Sequence, residues 1–352
     1  MRVMVIGPSC KKCKGGMATV IQEMENDKGL KDDYEMRFFS SYIDGNKIIR
    51  ALYTVFSLIY FLSVYNKYDL FHIHMASYGS TYRKGLYAYF IKKKNKKVII
   101  HIHGGEFMVF YEKLNSKRKQ QVVELLKNAD LVIALSKEWR NRFEKIFALT
   151  NCVAINNGVD VSLFNEAIES VEKTERKFLV LGRLGKLKGT YDLIDSAEIA
   201  KTEFPDLKIY LAGDGEIEKV KRLVSEKKLD NTIKVLGWVD KKTKIKLLKK
   251  TSVLILPSYN EGLPMAILEG MASEKAIIST PVGAIGEIIK DENGILVTPG
   301  NCIELGNAIK KCCEDKNMVE NMGKCNRNKI IQEYSLEIMH QKIRYCYDNV
   351  SS

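Results

Sequence analysis

Twice along this chain, short apolar runs alternate with longer stretches of helical period, and the pattern stops and restarts near residue 160. The first series of strand candidates is Arg2–Gly7, Glu35–Phe39, Leu70–His74, Val98–His103, Leu131–Leu135 and Val153–Asn156. Met17–Asn26, Ile48–Val64 and Lys119–Lys127 read as helices between them. The second series is Phe178–Gly182, Lys208–Ala212, Ile233–Leu236, Val253–Leu256, Ala276–Ser279 and Gly294–Val297. Continuous apolar strands separated by helices belong to parallel sheets covered on both faces. The chain is therefore read as α/β, with two doubly wound domains. Ligands bind such domains at the carboxyl ends of the strands, here expected to face a central cleft. The polar, turn-rich NNGVDVSLFNEAIESVEKTERK serves as linker, and Asn317–Val350 reads as helical throughout.

A length of 352 residues agrees with two domains. Apolar residues at 45% and charged residues at 28% exclude a disordered or fibrous chain. The net charge of +13 favours anionic partners and is unevenly spread. Residues 1–160 hold 26 Lys/Arg against 15 Asp/Glu, or +11, which leaves +2 for the rest. The eight cysteines are scattered, and Cys10-x-x-Cys13 lacks the second pair that a zinc ribbon needs, so reduced thiols are expected. Met1 leads directly into RVMVIG, which lacks the order of a secretory leader. Ala51–Asn66 is uncharged but shorter than the roughly 20 residues a spanning helix needs. It is expected to be a buried helix of the first domain, with a helix lying on a membrane surface as the alternative.

Four motifs carry chemistry. After the first strand, Gly15 and Gly16 open a helix, where backbone can approach a ligand and free N–H groups favour phosphate. His101-x-His103 ends a strand and His72-x-His74 repeats the arrangement on the preceding one. Four histidines on neighbouring strand ends could form a metal cluster, but such a site usually wants a carboxylate or thiolate partner, so no metal is assigned and His103 is read as a hydrogen-bonding group in the cleft. In Gly182-Arg183-Leu184-Gly185-Lys186-Leu187-Lys188-Gly189, two cations five positions apart can neutralise a diphosphate without a metal. In Glu261-Gly262-Leu263-Pro264-Met265-Ala266-Ile267-Leu268-Glu269, Pro264 is placed in the first turn of a helix. The two carboxylates there fit contacts to the hydroxyls of a sugar and a ribose.

Together, GRLGKLKG and the E-x7-E block EGLPMAILE resemble the retaining GT-B glycosyltransferases of family 4. NNGVD at Asn156–Asp160, KGG at Lys14–Gly16 and the His103-Gly104 turn match that family in the same order. The resemblance implies a GT-B fold with a Rossmann-like acceptor domain over residues 1–160 and a Rossmann-like nucleotide-sugar donor domain over 161–332. A C-terminal helix at about 333–352 would return to the first domain. It implies His103, Arg183, Lys188 and Glu261 as catalytic residues. Donor binding would fall to Gly15, Gly16, Arg183, Lys188, Gly237, Trp238, Val239, Glu261, Gly262, Leu263 and Glu269. His74, Arg83 and Lys84, in HMASYGSTYRK, would meet the acceptor.

The implied reaction is retaining transfer of a hexose or N-acetylhexosamine from a nucleotide sugar, with uridine the expected base. No cofactor and no metal are implied. The acceptor is expected to be lipid-linked or a growing surface polysaccharide of capsule or exopolysaccharide type. On this reading the basic first domain docks on an anionic membrane at the inner face of the cell membrane, from a cytoplasmic position. A nucleotide-sugar epimerase is one alternative. A non-catalytic protein that binds a membrane or nucleic acid through its basic half is another, but it leaves the E-x7-E block unexplained; no nucleic-acid partner is expected.

Overall fold

The computed structural model describes residues 1–13, 15–168 and 176–351. Lys14, in the first glycine loop, and residues 169–175 of the expected linker lie outside the described residues. Two compact units form: Met1–Gly158 with Leu336–Ser352, and Val159–Ser335.

The first unit holds β1 (Val3–Pro8), β2 (Arg37–Tyr42), β3 (Leu70–Met75), β4 (Lys97–Ile102), β5 (Leu131–Ala134) and β6 (Cys152–Ala154). They form one parallel sheet in the order β2-β1-β3-β4-β5-β6. Around it lie α1 (Gly16–Asn26), α2 (Lys28–Asp33), α3 (Lys47–Val64), α4 (Gly79–Lys92), α5 (Phe107–Glu112), α6 (Ser116–Lys127) and α7 (Lys137–Phe147). The second unit holds β7 (Lys177–Leu181), β8 (Lys208–Ala212), β9 (Ile233–Gly237), β10 (Val253–Leu256), β11 (Ala276–Ser279) and β12 (Gly294–Leu296). Their order, β12-β11-β10-β7-β8-β9, is again parallel throughout. Its helices are α8 (Thr190–Lys201), α9 (Ile217–Glu226), α10 (Lys241–Lys250), α11 (Met265–Ala272), α12 (Ile285–Ile288), α13 (Cys302–Glu314) and α14 (Lys316–Glu333). A last helix, α15 (Leu336–Ser351), belongs to the first unit.

Each strand expected from the sequence is present, within three residues at its ends, because unbroken β-branched runs such as VIIHI fit only a sheet buried on both faces. Short polar caps set several helix starts: Asn46 accepts from Ile49 N at 2.9 Å, and Asp240 from Thr243 N at 2.7 Å. Asn115 caps α6 through Arg118 N, so that helix starts at Ser116 and not at Lys119.

Three expectations need correction. The C-terminal stretch is not one helix: α14 ends at Tyr334, whose carbonyl accepts from Val159 N at 3.0 Å, and α15 then starts in the other unit. Pro264 is the N-cap of α11 and does not sit in its first turn, since its ψ of 125° is extended. Ala51–Asn66 is not a buried helix. Within α3 only Ser57 and Phe61 are buried, while Ile48, Phe56 and Ile59 are 71%, 68% and 61% exposed. One narrow stripe of α3 touches the unit: Tyr53 bonds Ser40, and Ser57 and Phe61 meet Tyr87 of α4.

Candidate functional site

In the second unit the chain leaves β7 at Gly182 and forms the loop that carries Arg183 and Lys188. Gly189 closes this loop at φ 66°, and a Cβ there would stand 2.1 Å from the carbonyl of Pro257. Only glycine lets the loop lie against the end of β10 so closely. Tyr259 N donates to Leu187 O at 3.0 Å across the same seam.

Lys188 Nζ is thereby brought to Glu261, and the two form an ion pair. Ser258 donates to the same carboxylate oxygen at 2.8 Å, and the Glu261 side chain is only 8% exposed. A buried carboxylate with an ammonium and a hydroxyl is held in one orientation. Arg183 stays exposed on the rim. Gly262 lies between Glu261 and α11, and its carbonyl accepts from Ala284 N at 2.8 Å. Leu263 is buried at the start of that helix.

Glu269, buried on α11, pairs with Lys244 of α10. The expected base-binding stretch follows β9: Gly237 is buried and Trp238 is exposed. Gly237 O accepts from Gly213 N at 2.8 Å. Val239 is partly buried.

Sequence reasoning missed three participants here. Lys244 lies in KKTKIKLLKK, where nothing distinguishes one lysine from the next. Ser258 is a common residue in a common loop. The segment Ala212–Glu216 braces the Arg183 loop: Leu184 N donates to Asp214 O at 2.6 Å, and Glu216 N to Leu184 O at 2.9 Å. Tyr191 OH fixes the Glu216 carboxylate at 2.8 Å. The glycines in AGDGE were the available signal.

In the first unit, β3 and β4 pair in a register that sets His74 beside His101. His72 Nδ1 meets Tyr347 OH of α15 at 2.7 Å and its Nε2 meets His101 Nδ1 at 3.2 Å. His74 Nδ1 meets His103 Nε2 at 2.8 Å. Burial pushes all four rings below their ordinary range, His72 and His103 to about 3, so they are neutral.

His74 was expected at the acceptor; it is fully buried, its ring stacked between those of His72 and His103 and bonded to His103. His103 lies just past the end of β4 and is partly buried. Ring nitrogens of His72, His74 and His101 lie within 4.8 Å of one another, a set that could ligate a metal. The Lys84 ammonium, bonded to the His74 carbonyl, puts positive charge beside them, so the set reads better as a hydrogen-bonded ladder.

Beside this ladder is a cavity of about 420 Å³, lined by residues that include Gly15, Gly16, Tyr42, Arg50, Arg83 and Lys84. The two glycines, expected to approach the donor diphosphate and the acceptor side, share a cavity with the two acceptor cations. Gly15 caps α1 at φ 123°, and an added Cβ would meet nothing within 4 Å, so the backbone borders open space. The guanidinium groups of Arg83 and Arg50 lie 4.8 and 5.9 Å from the Tyr42 ring centroid. Burial, and then the charge of Arg83, lowers Lys84 to about 7. Two arginines and a partly protonated Lys84, against the Asp44 carboxylate among the described residues, make an anion-selective cavity. Cys13 lines it too, as an unbonded thiol that donates to Tyr42 O at 3.5 Å. Burial raises Cys10 to about 11, which opposes a thioredoxin-like thiolate.

Comparison with known proteins bears on both units. Residues 25–163 match the model described as Glycosyltransferase Family 4, and residues 163–329 the model described as Glycosyl transferases group 1. The chain is similar to an uncharacterized glycosyltransferase of Methanocaldococcus jannaschii, 28% identical over 80% of this chain and 76% of that one. It is also similar to the UDP-Gal:alpha-D-GlcNAc-diphosphoundecaprenol alpha-1,3-galactosyltransferase of Escherichia coli, 28% identical over 55% of this chain and 53% of that one. The Anabaena protein HepE, solved in complex with UDP, superposes with a TM-score of 0.78 at 19% identity and covers 99% of this chain and 100% of its own. At that identity the likeness speaks for the fold.

Proposed function

We propose that this chain, a glycosyltransferase of GT-B fold by its two family modules, transfers a hexose or N-acetylhexosamine from a UDP-sugar to a lipid-diphosphate-linked saccharide with retention at the anomeric carbon. The observation that carries the donor side is the Lys188–Glu261 pair beside exposed Arg183. In transfer, the bond from C1 to the diphosphate oxygen breaks and its electron pair stays on the leaving group. A bond from C1 to an acceptor hydroxyl oxygen forms on the same face. The departing phosphate oxygen, nearest on that face, takes the hydroxyl proton.

Negative charge on the leaving diphosphate is greater in the transition state than before it, so fixed cations accelerate the step. Arg183 grips the phosphate oxygens, and Lys188 is handed from Glu261 to the diphosphate. Glu261 then turns its free acceptor capacity to hydroxyls of the transferred sugar. Glu269, oriented by Lys244, takes the ribose hydroxyls, and the backbone at Gly237–Val239 holds the base. Glu261 acts by positioning and not as a glycosidase-type nucleophile.

The acceptor side is supported by the Arg50–Arg83–Lys84 cavity, whose charge suits a diphosphate. The E. coli relative's name, with a diphosphoundecaprenol acceptor, points the same way. Capsule or exopolysaccharide assembly is the setting we assign.

A donor screen tests this reading. Incubation with a panel of nucleotide sugars and a polyprenyl-diphosphate saccharide should release UDP only with acceptor present, and equally in EDTA. Strict loss in EDTA overturns the metal-free mechanism. A new sugar nucleotide formed with no acceptor consumed would mark an epimerase.

A further inference from the structure

The outer surface of the first unit carries a feature that donor chemistry does not use. α3 turns Ile48, Leu52, Val55, Phe56 and Ile59 outward, a spacing that keeps them on one helical face. Soluble monomers rarely leave so long an apolar stripe uncovered. On α4, which α3 touches through Ser57 and Phe61, the exposed residues Tyr82, Leu86 and Tyr89 follow at helical spacing. They border a groove of about 590 Å³ between α4 and α6 that Lys92 and Lys93 also line.

Both ends of α3 are basic. Lys47 and Arg50 are exposed at its start. At its end Lys67 follows directly, and Lys96 of the loop after α4 donates to the carbonyl of Asn66 at 2.8 Å. That bond brings the segment that carries exposed Lys93 and Lys94 to the C-terminal end of α3. Apolar side chains flanked by lysines and tyrosines match the acyl boundary and anionic headgroups of a bilayer.

We propose that α3, with the adjoining face of α4, is a membrane-docking surface that lies in the interface of an anionic lipid leaflet. α3 lies along the surface and does not cross it. Its inner stripe is committed to the unit, with Ser57 Oγ 2.9 Å from Tyr87 OH and Phe61 4.8 Å from the Tyr87 ring centroid. Docking sets the anion-selective cavity, which Arg50 lines from the first turn of α3, at headgroup depth. The surface stands on the first unit's geometry alone and holds whichever donor is used.

Cosedimentation of the full chain with lipid vesicles tests it. Vesicles of phosphatidylcholine with phosphatidylglycerol should bind at least about tenfold more protein than phosphatidylcholine alone, and salt should weaken the binding. The double variant Phe56→Glu/Ile59→Glu, at exposed positions, should lose about tenfold of this binding while its circular dichroism stays that of wild type. Lys93→Glu/Lys94→Glu should lose the preference for anionic lipid. Equal binding by wild type and both variants overturns the proposal. So does resistance to carbonate extraction, which marks a spanning helix, and so does a lipid-indifferent dimer that Phe56→Glu/Ile59→Glu dissociates.

Discussion

Lys84 and the histidines beneath it show how one face of a strand can tune several ionisable groups together. Lys84 is buried and near neutrality at about 7, and the four rings are held uncharged. Free imidazole takes its proton near 6.5, whereas folded His72 and His103 hold out to about 3. Between those values the unfolded chain binds more protons, so stability is present above about pH 6.5 and is lost as pH falls toward 3. Each histidine contributes up to about 1.4 kcal/mol per pH unit in that window. Urea unfolding should therefore show a midpoint that is nearly level above about pH 7 and falls steeply from about pH 6 to 4, and a flat midpoint across pH 6 to 4 would contradict neutral burial. The histidines themselves were legible as paired on strand ends. Their burial was not, because alternation gives the face but not what covers it, and Tyr347 comes from a helix 275 residues away.

At the scale of elements, α15 is tied to the first unit through Asp27. This carboxylate caps α2 by accepting from Leu30 N at 2.8 Å, and it also meets His340 at 2.5 Å and Arg344 at 3.8 Å. Burial would raise its pKa, but the Leu30 N–H and His340 outweigh that and the net shift is downward. Asp27→Ala should lower unfolding free energy by about 1–3 kcal/mol, measured by denaturant titration, and Asp27→Asn should recover part of it. No loss in Asp27→Ala would mean that α15 docks by its apolar face alone. The break between α14 and α15 was hidden because neither proline nor glycine marks it. α3 misled for another reason. A helix apolar on every side gives no periodic sign of which side faces protein, so length and polarity alone suggested burial. The strands, by contrast, were readable because unbroken β-branched runs leave a buried parallel sheet as their place.

Across the whole molecule, charge divides with function. Of the net +13, residues 1–160 hold +11, on the unit with the anion-selective cavity and the basic-flanked α3. The rest is nearly balanced, and two of its working cations are matched: Lys188 by Glu261 and Lys244 by Glu269. Such pairing is invisible to a count of residues. GRLGKLKG and EGLPMAILE were found by resemblance, while their mutual contact is a product of folding, made by the Gly189 turn against Pro257. The most direct measurement is the turnover number for UDP release from the donor the screen selects, in wild type, Arg183→Ala and Lys188→Ala. The account predicts a fall of at least about a hundredfold in each variant. Arg183→Ala, at an exposed position, should melt with wild type. Near-normal turnover in both folded variants would contradict the account.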